Sequence, residues 1–243
     1  MPEGPSIVIL KEELQQFAGK KIQDVAGNAS IDIKRLKKKK VLSFKTWGKH
    51  FLICFDDFTV KIHLLMFGTY RINDRKDADP RLQLVFNDGE VNFYTCSVKI
   101  LEGDINSHYN WNEDVMSKSW DPKKAKEKLD KIRNQMICDT LLDQNIFSGV
   151  GNIIKNEVLY RTKIHPESTV GKIPEDDLKM IINESSLYSF EFLKWKKEFV
   201  LKKHWLAHTK KVCVRCDLPL EKKYTGTKKR RSFFCTNCQT LHQ

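Results

Sequence analysis

Two close cysteine pairs near the C-terminus constrain this chain more than any other feature. They read Cys213-x2-Cys216, then eighteen residues, then Cys235-x2-Cys238. Each pair can chelate one ion from a tight knuckle, and the intervening span is long enough for a β-hairpin to bring the pairs together. Four thiolates suit a closed tetrahedral zinc site. A site of this kind is structural, because it leaves no open position for water; iron is the minor alternative. Cys54, Cys96 and Cys138 are isolated and read as small buried hydrophobes. The odd total of seven argues against a disulfide framework.

The segment between the pairs is basic, with Lys228-Lys229-Arg230-Arg231 near Gly226. A metal-stiffened basic hairpin suits gripping phosphates or entering a groove, although a solvated charged loop has the same composition. The whole chain carries 43 Lys and Arg against 31 Asp and Glu, a net charge of +12 over 243 residues. Residues 211–243 supply half of that excess. Nucleic acid is the simplest acidic partner. A second basic run, Lys34 to Lys40, reads as a solvated loop, with a nuclear signal as the alternative. A hydrophobic content of 40% allows a core and excludes wholesale disorder. No stretch approaches the roughly 20 apolar residues of a membrane helix. The start, Met1-Pro2-Glu3-Gly4-Pro5, lacks the pattern of a signal peptide. A soluble intracellular chain, nuclear or cytoplasmic according to host, is the expectation.

The order of elements points to an α+β chain with segregated parts. A helix is expected over 7–18, with Ser6 as its N-cap and Gly19 as its stop. Short runs rich in Val, Ile, Phe and Thr follow at 41–46, 50–56, 58–66, 69–73, 82–86, 91–95 and 98–101, suggesting an antiparallel sandwich or barrel. Residues 103–120 read as a linker. Helices are expected at 122–133, 135–144 and 152–161, and from Pro174 to about 203. The corresponding domains are 1–110, 111–205 and 206–243.

Two further segments carry possible chemistry. Leu141 to Ile153 reads as a helix end, a turn bearing Gly149 and Gly151, and a new helix whose free N–H groups suit a phosphate. The same connection is common without a ligand. If Met1 is removed, Pro2 presents an α-amine that titrates near neutrality, at about 7.7–8.0 for ordinary residues. Such an amine can attack carbon covalently, and Glu3 beside it can serve as acid or base.

Taken together, these residues resemble the formamidopyrimidine-DNA glycosylase/endonuclease VIII (Fpg/Nei) family, on its Nei-like branch. The similarity runs through Met1-Pro2-Glu3-Gly4-Pro5, Gly48-Lys49-His50, the strand His63 to Gly68, Leu142-Asp143-Gln144, Gly149 to Ile153, Ile164-His165-Pro166 and Arg230 to Gln239. It implies an N-terminal antiparallel β-sandwich with a flanking helix, a helix–two-turn–helix domain and a C-terminal zinc-finger β-hairpin holding one structural zinc ion. It also implies a bifunctional DNA glycosylase/AP lyase of base excision repair, acting as a monomer on DNA with oxidised bases or abasic sites. In that scheme Pro2 forms a Schiff base at C1′, Glu3 helps open the sugar ring, and the strand is cut by β,δ-elimination. Lys49, Asn152 and Arg230 contact phosphates, and Met66 fills the gap left by the extruded base.

The resemblance has departures. Ser6 stands where many members carry a glutamate. The segment Thr95 to Ile100 lacks the family's Arg and Phe gap-filling partners, which makes bubble and single-stranded DNA candidate substrates alongside duplex. Residues 194–212 are rich in Lys, Trp and His rather than Gly and Thr, which favours oxidised pyrimidines. The competing reading is a non-catalytic, zinc-containing nucleic-acid-binding protein that keeps the fold. A ribosome- or transcription-associated zinc protein explains the cysteines and charge but not the N-terminal motif.

Overall fold

The structure is a computed structural model, and it describes residues 2–243. The chain forms two compact units, Met1–Asn110 and Trp111–Gln243. The α+β class and the antiparallel sheets are as the sequence predicts.

The first unit is a sandwich of two four-stranded antiparallel sheets. One contains β2 (Ser43–Trp47), β3 (His50–Cys54), β4 (Phe58–His63) and β8 (Ser97–Glu102), in that order. The other contains β1 (Asp24–Ala26), β6 (Leu82–Phe86), β7 (Gly89–Tyr94) and β5 (Thr69–Ile72), in that order. Strand alternation puts Leu82, Leu84 and Phe86 of β6 into the same apolar core as Phe51, Ile53, Val60 and Ile62. The rings of Phe51 and Phe93 meet at 6.0 Å across the two sheets. Helix α1 (Gly4–Leu14) packs on β2 and β3 and buries Ile7, Leu10 and Leu14. It starts two residues before the expected cap: Glu3, not Ser6, occupies the N-cap position, and Pro5 sits in the first turn.

One expectation for this unit is corrected and another is refined. The run 58–66 does not stay extended, since β4 ends at His63 and Leu65-Met66-Phe67 form a turn with Leu65 at φ 52°. Gly68 donates to the Leu64 carbonyl at 2.7 Å, an approach so close that any Cβ at Gly68 would collide with Leu64. The basic run 34–40, read as a solvated loop, is largely exposed, but several of its charges are paired. Arg35 pairs with Glu102 and Asp57 and lies 4.1 Å over the Phe58 ring; Lys37 pairs with Asp24, and Lys39 with Asp57.

The second unit holds α2 (Pro122–Asp130), α3 (Ile137–Thr140), α4 (Asn152–Arg161) and α5 (Glu175–Lys197) around a core that includes Phe147, Val150, Ile154, Ile181 and Tyr188. Asp121 caps α2, accepting from the Lys123 and Lys124 amides. Strands β9 (Glu221–Thr225) and β10 (Arg230–Phe234) form the C-terminal hairpin. The helical part and this hairpin share the one unit. The stretch 103–120, read as a linker, carries two short 3-10 turns and buries Val115. The last long helix stops at Lys197 rather than near 203. No described helix is long and apolar enough to cross a membrane.

Candidate nucleic-acid interface and metal centre

In the first unit, Pro2 and Glu3 lie at the N-terminal end of α1. Glu3 is completely buried, and its main-chain carbonyl accepts from the Ser6 amide at 2.8 Å. Met1 lies outside the described residues. Lys49 sits with Gly48 in the two-residue turn joining β2 to β3, and Gly48 supplies the left-handed φ of 52° that the turn requires. Because α1 packs on these same two strands, one sheet carries both the Pro2–Glu3 end and the Lys49 turn. Met66 lies in the 65–67 turn, where Leu65, Met66 and Phe67 are all exposed.

Sequence reasoning missed the aromatic cluster beside Lys49. His50 and His63 are cross-strand partners, with ring centroids 5.5 Å apart. The Tyr109 hydroxyl lies 3.2 Å from His50 Nδ1, and the Trp47 indole donates to the Asn110 carbonyl at 2.9 Å. Burial first, then the positive charge of Lys61 and the neighbouring His63 and Lys49, pushes His50 down to about 3. His63 shifts the same way, chiefly through burial. Both shifts favour the neutral ring at pH 7. The only sequence signal was two histidines in adjoining strand-like runs.

In the second unit, the glycine-bearing turn is stapled from within. Gln144 accepts from the Gly149 amide through Oε1 and donates to the Leu142 and Val150 carbonyls through Nε2, each at 3.1 Å. Gly149 has φ 100°, a conformation that favours glycine. Asn152 opens α4 and donates to the Arg231 carbonyl at 2.9 Å, while its Oδ1 is buried without a hydrogen-bond partner. Asn152 is thus tied to Arg231, the neighbour of Arg230 on β10.

The rest of α4 binds the hairpin. Lys155, fully buried, donates to Ser232 Oγ at 2.8 Å. Asn156 Oδ1 accepts from the Phe233 amide at 3.2 Å. Glu157, also buried, accepts from the amides of Leu206, Ala207 and His208 at 2.7–3.0 Å. Burial pushes its carboxyl above the usual range, against the opposing pull of those amides.

The hairpin tip is held as well. Asp139 of α3 accepts from the Thr227 amide at 2.6 Å, the Thr227 hydroxyl at 3.0 Å and the Lys228 amide at 3.0 Å. Gly226, at φ 70°, leaves the room this carboxylate occupies. Lys228 Nζ folds back onto the Asp139 carbonyl at 3.0 Å.

At the hairpin root, the sulfurs of Cys213, Cys216, Cys235 and Cys238 lie within 4.8 Å of one another. Cys213 and Cys238 are 3.8 Å apart, and Cys216 and Cys235 are 3.5 Å apart. A tetrahedral ion with metal–sulfur bonds of about 2.3 Å places its sulfurs about 3.8 Å apart, so the four residues fit one metal ion. Tyr160 of α4 places its hydroxyl 3.1 Å from Cys213 Sγ, where it can donate to a thiolate, and Arg215 stacks 3.9 Å over its ring. His165 packs edge-on against Phe234 at 4.4 Å, tying the Ile164-His165-Pro166 segment to the hairpin.

Comparison with known proteins accounts for both units. Residues 1–98 match the formamidopyrimidine-DNA glycosylase N-terminal domain, and residues 112–187 match the formamidopyrimidine-DNA glycosylase H2TH domain. The chain is 27% identical to Endonuclease 8-like 3 of Homo sapiens over 204 residues, covering 80% of this chain and 34% of that protein. It therefore spans about a third of the length of the Endonuclease 8-like 3 proteins it matches. It is 28% identical to the formamidopyrimidine-DNA glycosylase of Lactobacillus helveticus, with 100% of both chains covered. Among solved structures, the Lactococcus lactis formamidopyrimidine-DNA glycosylase bound non-covalently to DNA with an AP site superposes with a TM-score of 0.86. It is 23% identical and covers 98% of this chain and 99% of that one, so the likeness is one of fold. Two domain models that together match well over half of the sequence place this chain in the formamidopyrimidine-DNA glycosylase/endonuclease VIII family of DNA glycosylases.

Proposed function

We propose that this chain is a bifunctional DNA glycosylase/AP lyase that excises oxidised bases, with pyrimidines preferred. The observation that carries the reading is the Pro2-Glu3 pair at the start of α1, with Glu3 wholly buried, in a chain of this family. With Met1 removed, the Pro2 nitrogen attacks C1′ of the damaged nucleotide. The bond to the base breaks, and the base leaves with its electron pair and takes up a proton. Glu3 donates a proton to the ring oxygen, which opens the sugar and leaves an iminium between Pro2 and C1′. The iminium draws electrons as a proton leaves C2′, and the 3′ phosphate departs; a second elimination releases the 5′ phosphate.

Lys49, Asn152 and Arg230 hold the flanking phosphates as point charges and donors. The metal is a structural zinc on Cys213, Cys216, Cys235 and Cys238, and it fixes the hairpin carrying Arg230. DNA with oxidised or abasic sites is the partner. The turn between β7 and β8 is only Thr95-Cys96, and Cys96 is buried. That turn projects no gap-filling side chain, which supports bubble or single-stranded DNA as substrate, with Met66 as the wedge.

Borohydride reduction in the presence of abasic-site DNA tests the reading. The native chain should become covalently trapped. A chain extended before Pro2 should not be, and equal trapping by that variant would reject the Pro2 nucleophile.

A further inference from the structure

The C-terminal end of α5 exposes an aromatic side chain where one is costly. The helix closes with a complete Schellman motif. The Val200 amide donates to the Trp195 carbonyl at 2.9 Å, and the Phe199 amide to the Lys196 carbonyl at 3.2 Å. The residue at the centre of such a motif takes a left-handed conformation, and glycine is the usual occupant. Here it is Phe199, with φ 58° and 96% of its surface exposed. A bulky residue in this region is a conformational outlier, and an apolar ring in water gains nothing by burial. Neither the helix nor the core needs Phe199.

The surroundings are strongly basic. Residues 194–211 hold seven lysines against the single acid Glu198. Lys194, Lys196 and Lys197 complement the dipole at the helix end. Lys202 and Lys203 lie beyond the helix, in the next turn, and are exposed. That turn is fixed from beneath, because His204 stacks flat on Trp195 with centroids 4.1 Å apart and planes within 3°. A rigid corner thus presents one fully exposed ring framed by cations.

We propose that this corner is a contact surface for unpaired DNA, with Phe199 stacking on a base and Lys196, Lys202 and Lys203 following the backbone. Charge complementarity selects a polyanion, and the exposed ring selects one with accessible π-faces. Paired bases in a duplex present only their edges, so the partner is single-stranded. The inference rests on the proposed function only in taking DNA as the partner.

The test uses the 243-residue chain and fluorescently labelled oligothymidylate without lesions, so its outcome is independent of the Pro2 chemistry. Phe199→Ala should weaken binding about tenfold, within the range expected for loss of one aromatic stack. Phe199→Gly should weaken it equally while keeping or raising the melting temperature, because glycine suits the left-handed position. A purely structural Phe199 would lower both. On an oligomer of tetrahydrofuran sugars, which has the phosphates but no bases, Phe199→Ala should bind as the native chain does. Lys202→Gln with Lys203→Gln should reduce the salt dependence on both oligomers. Binding of oligothymidylate by Phe199→Ala within twofold of native overturns the proposal, as does an equal loss on the base-free oligomer. Borohydride trapping of the native chain, run in parallel, reports separately on the catalytic reading.

Discussion

The side-chain amide of Asn152 reaches the main-chain carbonyl of Arg231 across 2.9 Å, linking the first residue of α4 to the strand that carries Arg230. Lys155 and Asn156 approach the same carbonyl at 3.4 Å. The glycine-bearing turn and the basic hairpin therefore form a single platform. Asn152→Ala should lower affinity for abasic-site DNA about ten- to a hundredfold, as expected for a lost hydrogen bond to a charged group. Its effect on stability should be about 1 kcal/mol. Fluorescence anisotropy and thermal melting check the two quantities; unchanged affinity would remove Asn152 from the contact.

Metal removal should act from the root of the hairpin. Native protein should contain one zinc per chain by mass spectrometry, and Cys235→Ser should lose it. Tyr160, Phe233 and Cys235 pack in one small cluster around Cys213, so the loss exposes apolar surface there. Hydrogen exchange should rise first at 230–235 and later at 226–228, where Asp139 still holds the tip. DNA affinity should fall with it.

Asp139→Ala tests the tip directly. It removes the acceptor of two amides and a hydroxyl, all part-buried. The expected cost is about 2–4 kcal/mol in urea unfolding, with zinc content unchanged. A loss of zinc in this variant would show that tip and root are not independently held.

The His50 ring predicts a pH dependence for the first unit. Its ordinary value near 6.5 falls to about 3 in the fold, mainly through burial. The unfolded chain therefore takes up the proton first as pH drops. Stability from neutral His50 is complete above about 6.5 and is lost progressively down to about 3. Melting temperature measured over this window should fall with pH, and His50→Gln should flatten the decline. An identical slope in the variant would assign the loss to other groups.

Much of this fold was legible because local chemistry and tertiary demand agree. Helix α4 spans Asn152–Arg161 as expected, since the two glycines before it mark the turn and Asn152 opens the new helix. The cysteine pairs were readable because chelation imposes short fixed spacings. The run 58–66 misled because its apolar end looks like a buried strand, while the reversal at Leu65 depends on one left-handed residue and a close glycine approach. Similarly, α5 was overextended because lysines favour helix, whereas Phe199 ends it in a conformation that its residue type does not advertise.

Long-range pairings were the least legible part. The Asp139 clasp joins residues 88 and 89 positions apart. The ion pairs that absorb Arg35, Lys37 and Lys39 also reach distant carboxylates. Among the candidate residues of the two units, Pro2, Glu3, Lys49, Asn152 and Arg230 stood out by motif. The histidine cluster beside Lys49 depended on strand register, which the sequence alone leaves open.

A hairpin gripped at its root by four cysteines and at its tip by Asp139 behaves as a bridge rather than a lever. Anchored at both ends, it is poorly placed to swing on meeting the DNA that the proposed function assigns it. On that reading, capture by this part of the molecule is rigid-body docking, and its speed is set by diffusion and long-range attraction. On the proposed function, discrimination between damaged and intact DNA then falls to other elements and to the cost of deforming the DNA itself.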